Sequence, residues 1–308
     1  MTNPIGLLVM EYGEPQELGE VADYLTAHYG GYTPPPEDIA ALQARCQQVW
    51  GTERGGSAAG LLANALSQVL AERSGDRFRV ALGARHWTPT VTSALQELCA
   101  SGAQTVVVLP LSPHASLMGL RDYERTLERA QAELQQPCTI HLIKDWPDLP
   151  GYWSAITRHT RAALAQLEAP AEAVALLCMA HSVAESSRKP ETNYQQQLTQ
   201  RTAQLTSELG CGAGRLAYYG AEGPGQWLGP EVGSALEELA QAGYRHVLAV
   251  GISSTYDNVE ICYELDGRLA QLAATLGVGY ARAALPNADP ELVAGLADLV
   301  DGTVVERK

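Results

Sequence analysis

Two stretches of the chain share one pattern: SALQELCASGAQTVVVLPLS at residues 93–112 and SALEELAQAGYRHVLAVGIS at residues 234–253. They align without a gap and are identical at eight of the twenty positions. In each, apolar residues at helical spacing lead to a glycine, Gly102 or Gly243, and then to an apolar run. Glycine commonly ends a helix, and a short apolar run is typical of a buried strand. The pattern therefore predicts a helix followed by a buried strand, present twice.

The similarity continues on the N-terminal side of both stretches. Trp87-Thr-Pro89 precedes the first stretch, and Trp227-Leu-Gly-Pro230 precedes the second stretch at the corresponding place. The first apolar run of the chain, which ends at residues 9–13, has a counterpart that ends at residues 177–182. We therefore predict two copies of one unit.

Short apolar runs alternate with segments of helical period along the whole chain, which is typical of an α/β protein with parallel sheets. The runs are Ile5–Met10, Arg79–Leu82, Thr105–Leu109, Ile140–Ile143, Ala173–Met179, Leu216–Tyr219, Val247–Ile252 and Val278–Tyr280. We predict two pseudo-symmetric halves, residues 1–155 and 156–308, each with a parallel sheet flanked by helices. Because ligands of doubly wound sheets bind beyond the carboxyl ends of the strands, we expect a cleft between the halves.

Composition excludes several classes of partner. Of 308 residues, 46% are hydrophobic, and 35 Asp and Glu outnumber 21 Lys and Arg, giving a formal net charge of −14. Such a charge repels nucleic acids and anionic membrane surfaces. The six cysteines are dispersed with no C-x-x-C pair, so we predict free thiols. No run approaches the ~18 apolar residues of a membrane helix, and the first residues lack the basic region of a secretory signal. We expect a cytoplasmic protein with no membrane insertion.

Side chains capable of acid–base or metal chemistry follow the predicted strands. They are Glu11, Tyr12, Glu14, His86, His114, His181, Ser182, Glu222, Asp257, Glu260 and Glu264. Imidazole together with carboxylate suits proton transfer and also a divalent transition metal. Each histidine could instead be structural, and the acidic residues 257–264 could form a solvated helix face. Arg268 is spaced to form an ion pair with Glu264.

Four motifs, in this order, resemble the ferrochelatase family. They are GLLVMEYGEP at residues 6–15, Met179-Ala-His-Ser182, Trp227-Leu-Gly-Pro230 and Glu260-Ile-Cys-Tyr-Glu-Leu-Asp266. The resemblance spans Ile5 to about Pro290, and the length is similar to that of the short, soluble bacterial members. It implies two Rossmann-like halves with a cleft in which Fe(II) is inserted into a porphyrin.

The resemblance also implies roles for individual residues. The family's catalytic His and Glu match His181 and Glu260. Implied metal contacts are His181, Glu260, Tyr12, Glu264 and Asp257, and implied porphyrin contacts are Tyr12, His86, Ser57, Tyr123 and Trp227. A family histidine matches His114. Chemically, imidazole or carboxylate can take up pyrrole protons, and oxygen ligands can receive the ion.

The activity implied is that of a lyase of heme biosynthesis, acting on coproporphyrin III or protoporphyrin IX. Porphyrin and Fe(II) are then substrates, and we expect no permanently bound cofactor, no iron–sulfur cluster and a monomer. The sequence departs from the family at Tyr219-Gly220, where Gln-Ser is usual, and at His28-Tyr29-Gly30, where short members carry an Arg cluster. Two alternatives stay open: a non-catalytic porphyrin- or heme-binding member, and a chelatase for another metal or tetrapyrrole.

Overall fold

The structure is a computed structural model that describes residues 3–50, 57–114, 117–184, 193–221 and 225–305. The chain forms two compact units. The first comprises residues 1–113, 119–151 and 287–308, and the second comprises residues 114–118 and 152–286. The cleft predicted between the halves stays a prediction.

The first unit contains a four-stranded parallel sheet. Its strands are β1 (Ile5–Glu11), β2 (Phe78–Ala84), β3 (Thr105–Pro110) and β4 (Thr139–Leu142), in the order β2-β1-β3-β4. Its helices are α1 (Val21–His28), α2 (Pro36–Trp50), α3 (Ala58–Ser74), α4 (Val91–Ala100), α5 (Leu117–Ala132) and the late helix α11 (Pro290–Val305). Leu7, Leu8, Val9 and Met10 are fully buried, because helices cover both faces of a parallel sheet.

The second unit contains a sheet of the same kind. Its strands are β5 (Val174–His181), β6 (Ala213–Tyr219), β7 (His246–Gly251) and β8 (Gly279–Arg282), in the order β6-β5-β7-β8. Its helices are α6 (Pro150–Leu164), α7 (Tyr194–Leu209), α8 (Val232–Gln241), α9 (Val259–Cys262) and α10 (Leu269–Leu276). The first two residues of α6 belong to the first unit. A π-helical turn, Tyr263–Arg268, joins α9 to α10.

The strand order confirms the internal repeat and the α/β class. In both units the first strand lies second in the sheet, between the second and third strands. The helices of the repeat begin at matching places. The Thr90 hydroxyl accepts a hydrogen bond from Ser93 N, and the Glu231 carboxylate accepts hydrogen bonds from Gly233 N and Ser234 N. Such side-chain caps satisfy donors that the first helical turn leaves unpaired.

The C-terminal helix corrects the predicted division of the chain. We predicted that residues 156–308 form one half, but α11 belongs to the first unit, where it packs on α3. Leu292 and Leu296 on this helix are fully buried. Arg73 lies 2.7 Å from Asp298, and Arg77 lies 2.9 Å from Asp301. An apolar helix face and these ion pairs together hold α11 on the first unit.

All six cysteines are free thiols, as predicted. Within the described residues, the structure has no helix that combines the length and the apolar character needed to cross a membrane.

Candidate active site

The second unit places a histidine and a glutamate in direct contact. His181 is the last residue of β5, and Glu260 lies in the first turn of α9. Their side chains meet with 3.1 Å between His181 Nε2 and Glu260 Oε1. The side chains are 47% and 45% exposed, respectively, so water reaches both. The structure therefore brings together the two residues that the resemblance implies to be catalytic.

The hydrogen bonds of His181 define its protonation. His181 Nδ1 lies 2.8 Å from the carbonyl oxygen of Ser182, and because a carbonyl oxygen can only accept, Nδ1 carries a hydrogen. Nε2 faces a carboxylate oxygen, so this contact is favourable when one proton lies between the two atoms. Without that proton, lone pairs of the two groups would oppose each other. The pair is therefore built to hold one proton.

Aromatic side chains support the imidazole. The ring of Tyr219 meets the His181 ring edge-on at 5.3 Å between centroids. Tyr219 is buried, its hydroxyl lies 3.1 Å from Ser254 Oγ, and burial together with the charge of Glu260 raises its pKa well above the ordinary value. It stays a neutral phenol at any working pH. Tyr194 donates a hydrogen bond to the His181 carbonyl oxygen at 2.9 Å.

The other acidic residues predicted for the metal path lie in ion pairs. Arg268 donates to Glu264 at 2.8 Å, as the spacing predicted, and also bonds Glu231. Arg282, which ends β8, lies 3.3 Å from Asp257 and 2.9 Å from Asp266. Among the described residues, no group of three or more His, Cys, Asp and Glu side chains is arranged to hold a metal ion. The roles of Asp257 and Glu264 toward a metal stay predictions.

A second cluster lies in the first unit, around Tyr12. The Tyr12 hydroxyl lies 3.1 Å from His28 Nδ1, and its ring lies 4.6 Å from that of His86. The guanidinium of Arg85 lies over the Tyr12 ring at 5.6 Å and forms an ion pair with Asp122 at 3.1 Å. Burial, with the nearby charges of Arg85 and His28, lowers the pKa of His86 to about 3. His86 is therefore a neutral imidazole at ordinary pH.

Three residues predicted to contact the porphyrin also make structural interactions. Ser57 caps α3, where its hydroxyl accepts a hydrogen bond from Gly60 N at 3.2 Å. Tyr123 packs against the core of the first unit, and burial raises its pKa. The backbone of Trp227 pairs with that of Ala184, which lies three residues beyond His181 in the chain. Its indole nitrogen Nε1 is buried with no hydrogen-bond partner in the described part of the chain.

Other candidate residues have different outcomes. His114 is buried, at 3% exposure, and packs edge-on against Trp153 and Tyr194, as a structural histidine would. Glu11 and Glu14 are also buried. Glu222 lies outside the described residues. His28, which lies at the end of α1, was named in the sequence only as a departure from the family and was given no role. Arg282 was missed, although a search of the last strand end could have found it.

Solved structures share this architecture. SirB from Bacillus subtilis, solved with Fe3+, matches with a TM-score of 0.59 at 12% identity, covering 97% of this chain and 95% of that one. The sirohydrochlorin chelatase SirB from Bacillus subtilis subspecies spizizenii, in complex with cobalt, matches with a TM-score of 0.55 at 12% identity and the same coverage. These likenesses establish the fold as the two-unit α/β fold of chelatases.

Sequence comparison identifies the family. The family model described as Ferrochelatase matches residues 4–304. A ferrochelatase from Herpetosiphon aurantiacus is 29% identical over 98% of this chain and 100% of its own length. A coproporphyrin III ferrochelatase from Bacillus subtilis is 30% identical over 96% of each chain. The chain belongs to the ferrochelatase family.

Proposed function

We propose that this protein inserts Fe(II) into a porphyrin in heme biosynthesis, with coproporphyrin III as the first substrate to test and protoporphyrin IX as the second. In the reaction the macrocycle loses two pyrrole protons, and its four nitrogens bind the ion. The enzyme must therefore accept protons close to the macrocycle and release them to water. The contact between His181 and Glu260 is the observation that carries this proposal.

The pair suits the proton-accepting step for a structural reason. With Nδ1 committed to the Ser182 carbonyl oxygen, His181 offers Nε2 alone to substrate, and Glu260 shares whatever proton arrives there. A positioned base of this kind contributes about 10²–10⁴-fold to a proton-transfer step. Because both side chains are about half exposed, each pyrrole proton can pass to water before the next arrives.

Further groups are proposed to bind the substrates. We assign the aromatic surface of Tyr12 and the neutral His86 to the porphyrin, together with the buried indole N–H of Trp227, which needs an acceptor. Ser57 and Tyr123 stay weaker candidates, since a cap and core packing already occupy them. For Fe(II), which is a substrate, we assign His181 and Glu260 first and Tyr12, Asp257 and Glu264 second.

The remaining expectations are part of the same proposal. We propose that the protein works as a cytoplasmic monomer with porphyrin and a divalent metal as its partners. We also propose that it holds no permanently bound cofactor and no iron–sulfur cluster. The names of the matched relatives support coproporphyrin III over protoporphyrin IX as the porphyrin to test first.

The direct test is anaerobic incubation of the purified protein with Fe(II) and each porphyrin. Absorbance in the Soret band is then measured over time. Time-dependent conversion to the iron porphyrin, lost in His181→Ala, is the expected result. Porphyrin binding without conversion by Fe(II), Co(II) or Zn(II) would instead indicate a non-catalytic binding protein. Conversion restricted to another metal or tetrapyrrole would indicate a different chelatase.

A further inference from the structure

We propose that Arg282 is a positioning residue, whose guanidinium holds the segment that places Glu260 against His181. The inference rests on the proposed function of that pair. Arg282 is the last residue of β8 and donates two hydrogen bonds to Asp266, from Nε to Oδ1 and from Nη2 to Oδ2, each at 2.9 Å. Its third nitrogen, Nη1, donates to Asp257 Oδ1 at 3.3 Å. One side chain therefore binds a carboxylate on either side of Glu260 in the chain.

The helix that carries Glu260 is irregular. Only Val259–Cys262 is α-helical before the π-helical turn Tyr263–Arg268. Turns of this kind are rare and depart from the regular hydrogen bonds of an α-helix, so contacts from outside the helix help to fix their geometry. Asp257 lies just before α9, and Asp266 lies within the π-helical turn. A bridge between these two carboxylates fixes both ends of the segment.

A second residue of β8 binds the same turn. Tyr280 lies two residues before Arg282, so the two side chains project from the same face of the strand. The Tyr280 hydroxyl donates to the carbonyl oxygen of Leu265 in the π-helical turn at 2.8 Å. At the other end of the bridge, Asp257 Oδ1 also accepts from Cys262 Sγ at 3.4 Å. The last strand is therefore linked to the π-helical turn and, through Asp257, to both ends of α9.

The bridge connects Glu260 to the sheet that carries His181. The strand order places β7 between β5, which ends at His181, and β8, which ends at Arg282. His181 Nε2 and Glu260 Oε1 lie 3.1 Å apart, a distance near the upper end of the range for a good hydrogen bond. A small shift of the segment would therefore break the contact, and Arg282 is placed to prevent that shift.

The experiment compares Arg282→Gln with Arg215→Gln. Arg215, on β6, forms an ion pair with Glu238 on α8, so its loss also breaks a link between a strand and a helix of the second unit. It lies near the start of β6, whereas His181 pairs with Tyr219 at the end of that strand. We expect Arg282→Gln to lower kcat for Fe(II) insertion by about 100-fold, with KM for the porphyrin little changed. Arg215→Gln should keep the wild-type kcat, and equal kcat values for the two variants would overturn the proposal.

Arg282→Lys separates the bridge from the positive charge. Lysine keeps the charge but has one nitrogen, so it cannot donate two parallel hydrogen bonds to Asp266 and also reach Asp257. We expect Arg282→Lys to lower kcat by about 10-fold. Wild-type kcat in this variant would show that charge alone suffices, and it would overturn the role of the bridge.

A second readout does not depend on turnover. In the imidazole ¹⁵N spectrum, His181 is assigned by its disappearance in His181→Ala. We expect its ε-nitrogen resonance to move in Arg282→Gln and to stay in place in Arg215→Gln. No movement in Arg282→Gln, or equal movement in both variants, would refute the role of Arg282. If the wild-type protein inserts no iron, the proposed function fails, and this spectrum still decides the role of Arg282.

A further variant covers the case in which Arg282→Gln does not fold. Asp266→Asn breaks the same bridge from its other end, while the guanidinium keeps Asp257 as a partner. We expect Asp266→Asn to fold, to lower kcat and to move the His181 resonance. An unchanged kcat and resonance would overturn the proposal. Failure of Asp266→Asn to fold would show that the bridge serves the fold as a whole, and it would overturn the proposal as well.

Discussion

Tyr12 and His181 occupy equivalent positions in the two units. Ile5 pairs with Thr105, and Val174 pairs with His246; Thr105 and His246 are matched positions of the sequence repeat. Tyr12 and His181 each lie seven residues beyond these paired residues. The two copies have nevertheless diverged, because Tyr12 contacts His28 whereas His181 contacts Glu260. The pair that holds the proton therefore belongs to the second unit.

Replacing His181 tests the base directly. We expect His181→Ala to lower kcat for iron insertion by about 10²–10⁴-fold, because it removes the nitrogen that faces the carboxylate. The loss of stability should stay below about 1 kcal/mol, since the side chain is about half exposed. Soret-band kinetics and urea unfolding measure the two effects. His159→Ala, which changes a partly exposed histidine outside the candidate site, is the control. Equal turnover in both variants would exclude His181 from the mechanism.

The acidic residues should differ in importance. Glu260→Gln should lose turnover by about 100-fold or more, because an amide cannot share the proton of His181. Glu264→Gln should have a mild effect, because Arg268 already engages the Glu264 carboxylate. Arg268→Glu should lower the Fe(II) concentration needed for half-maximal rate, since it adds an acidic group to the row. Steady-state kinetics at several Fe(II) concentrations compare the three variants. Wild-type turnover in Glu260→Gln would indicate that the acidic residues 257–264 form only a solvated helix face.

His86 should make the wild-type protein acid-sensitive. Its pKa is about 3 in the folded protein and near 6.5 when unfolded, so between these values the unfolded chain binds a proton that the folded chain does not. Stability from this residue is complete above pH 6.5 and is lost as the pH falls toward 3. His86→Gln lacks this dependence, so its free energy of unfolding should fall less steeply with acid. Urea unfolding at pH 7.5, 6 and 5 measures the slopes, and parallel curves would contradict the prediction.

The last helix should be essential to the stability of the first unit. Leu296 on α11 is fully buried, so Leu296→Ala should cost about 2–5 kcal/mol through lost burial and a cavity. Leu61→Ala on α3 is the matched control, since Leu61 is 57% exposed and its truncation should cost no more than about 0.5 kcal/mol. Urea unfolding gives both values. Similar losses in the two variants would show that α11 contributes little to the core.

Most of the fold could be predicted from the sequence, because parallel strands are buried on both faces and are therefore apolar along their whole length. Runs such as Leu7–Met10 must be continuously apolar there, and every predicted run contains or overlaps a strand of the structure. The placement of α11 could not be read in the same way. The apolar spacing of Leu292 and Leu296 predicts a buried face, but it carries no information about which unit that face covers.

The site was readable only in part. Imidazole and carboxylate groups are recognised as candidates for proton transfer or metal binding from residue type alone. His181 and Glu260 could therefore be proposed as site residues from the sequence. The ion pair of Asp257 with Arg282 joins residues far apart in the chain, and neither spacing nor periodicity predicts such a contact. Arg268 was predicted because its partner Glu264 lies four residues away.

The return of α11 to the first unit sets an order of events during synthesis. Domains generally fold as units while the chain emerges from the ribosome, N-terminal parts first. Here all residues of the second unit have been synthesised at residue 286. In the first unit, α3 is not covered by α11 until residues 290–305 have been synthesised. The half that is made first is therefore finished last. A stalled nascent chain that stops before α11 should present a folded second unit beside a first unit open to proteases and chaperones.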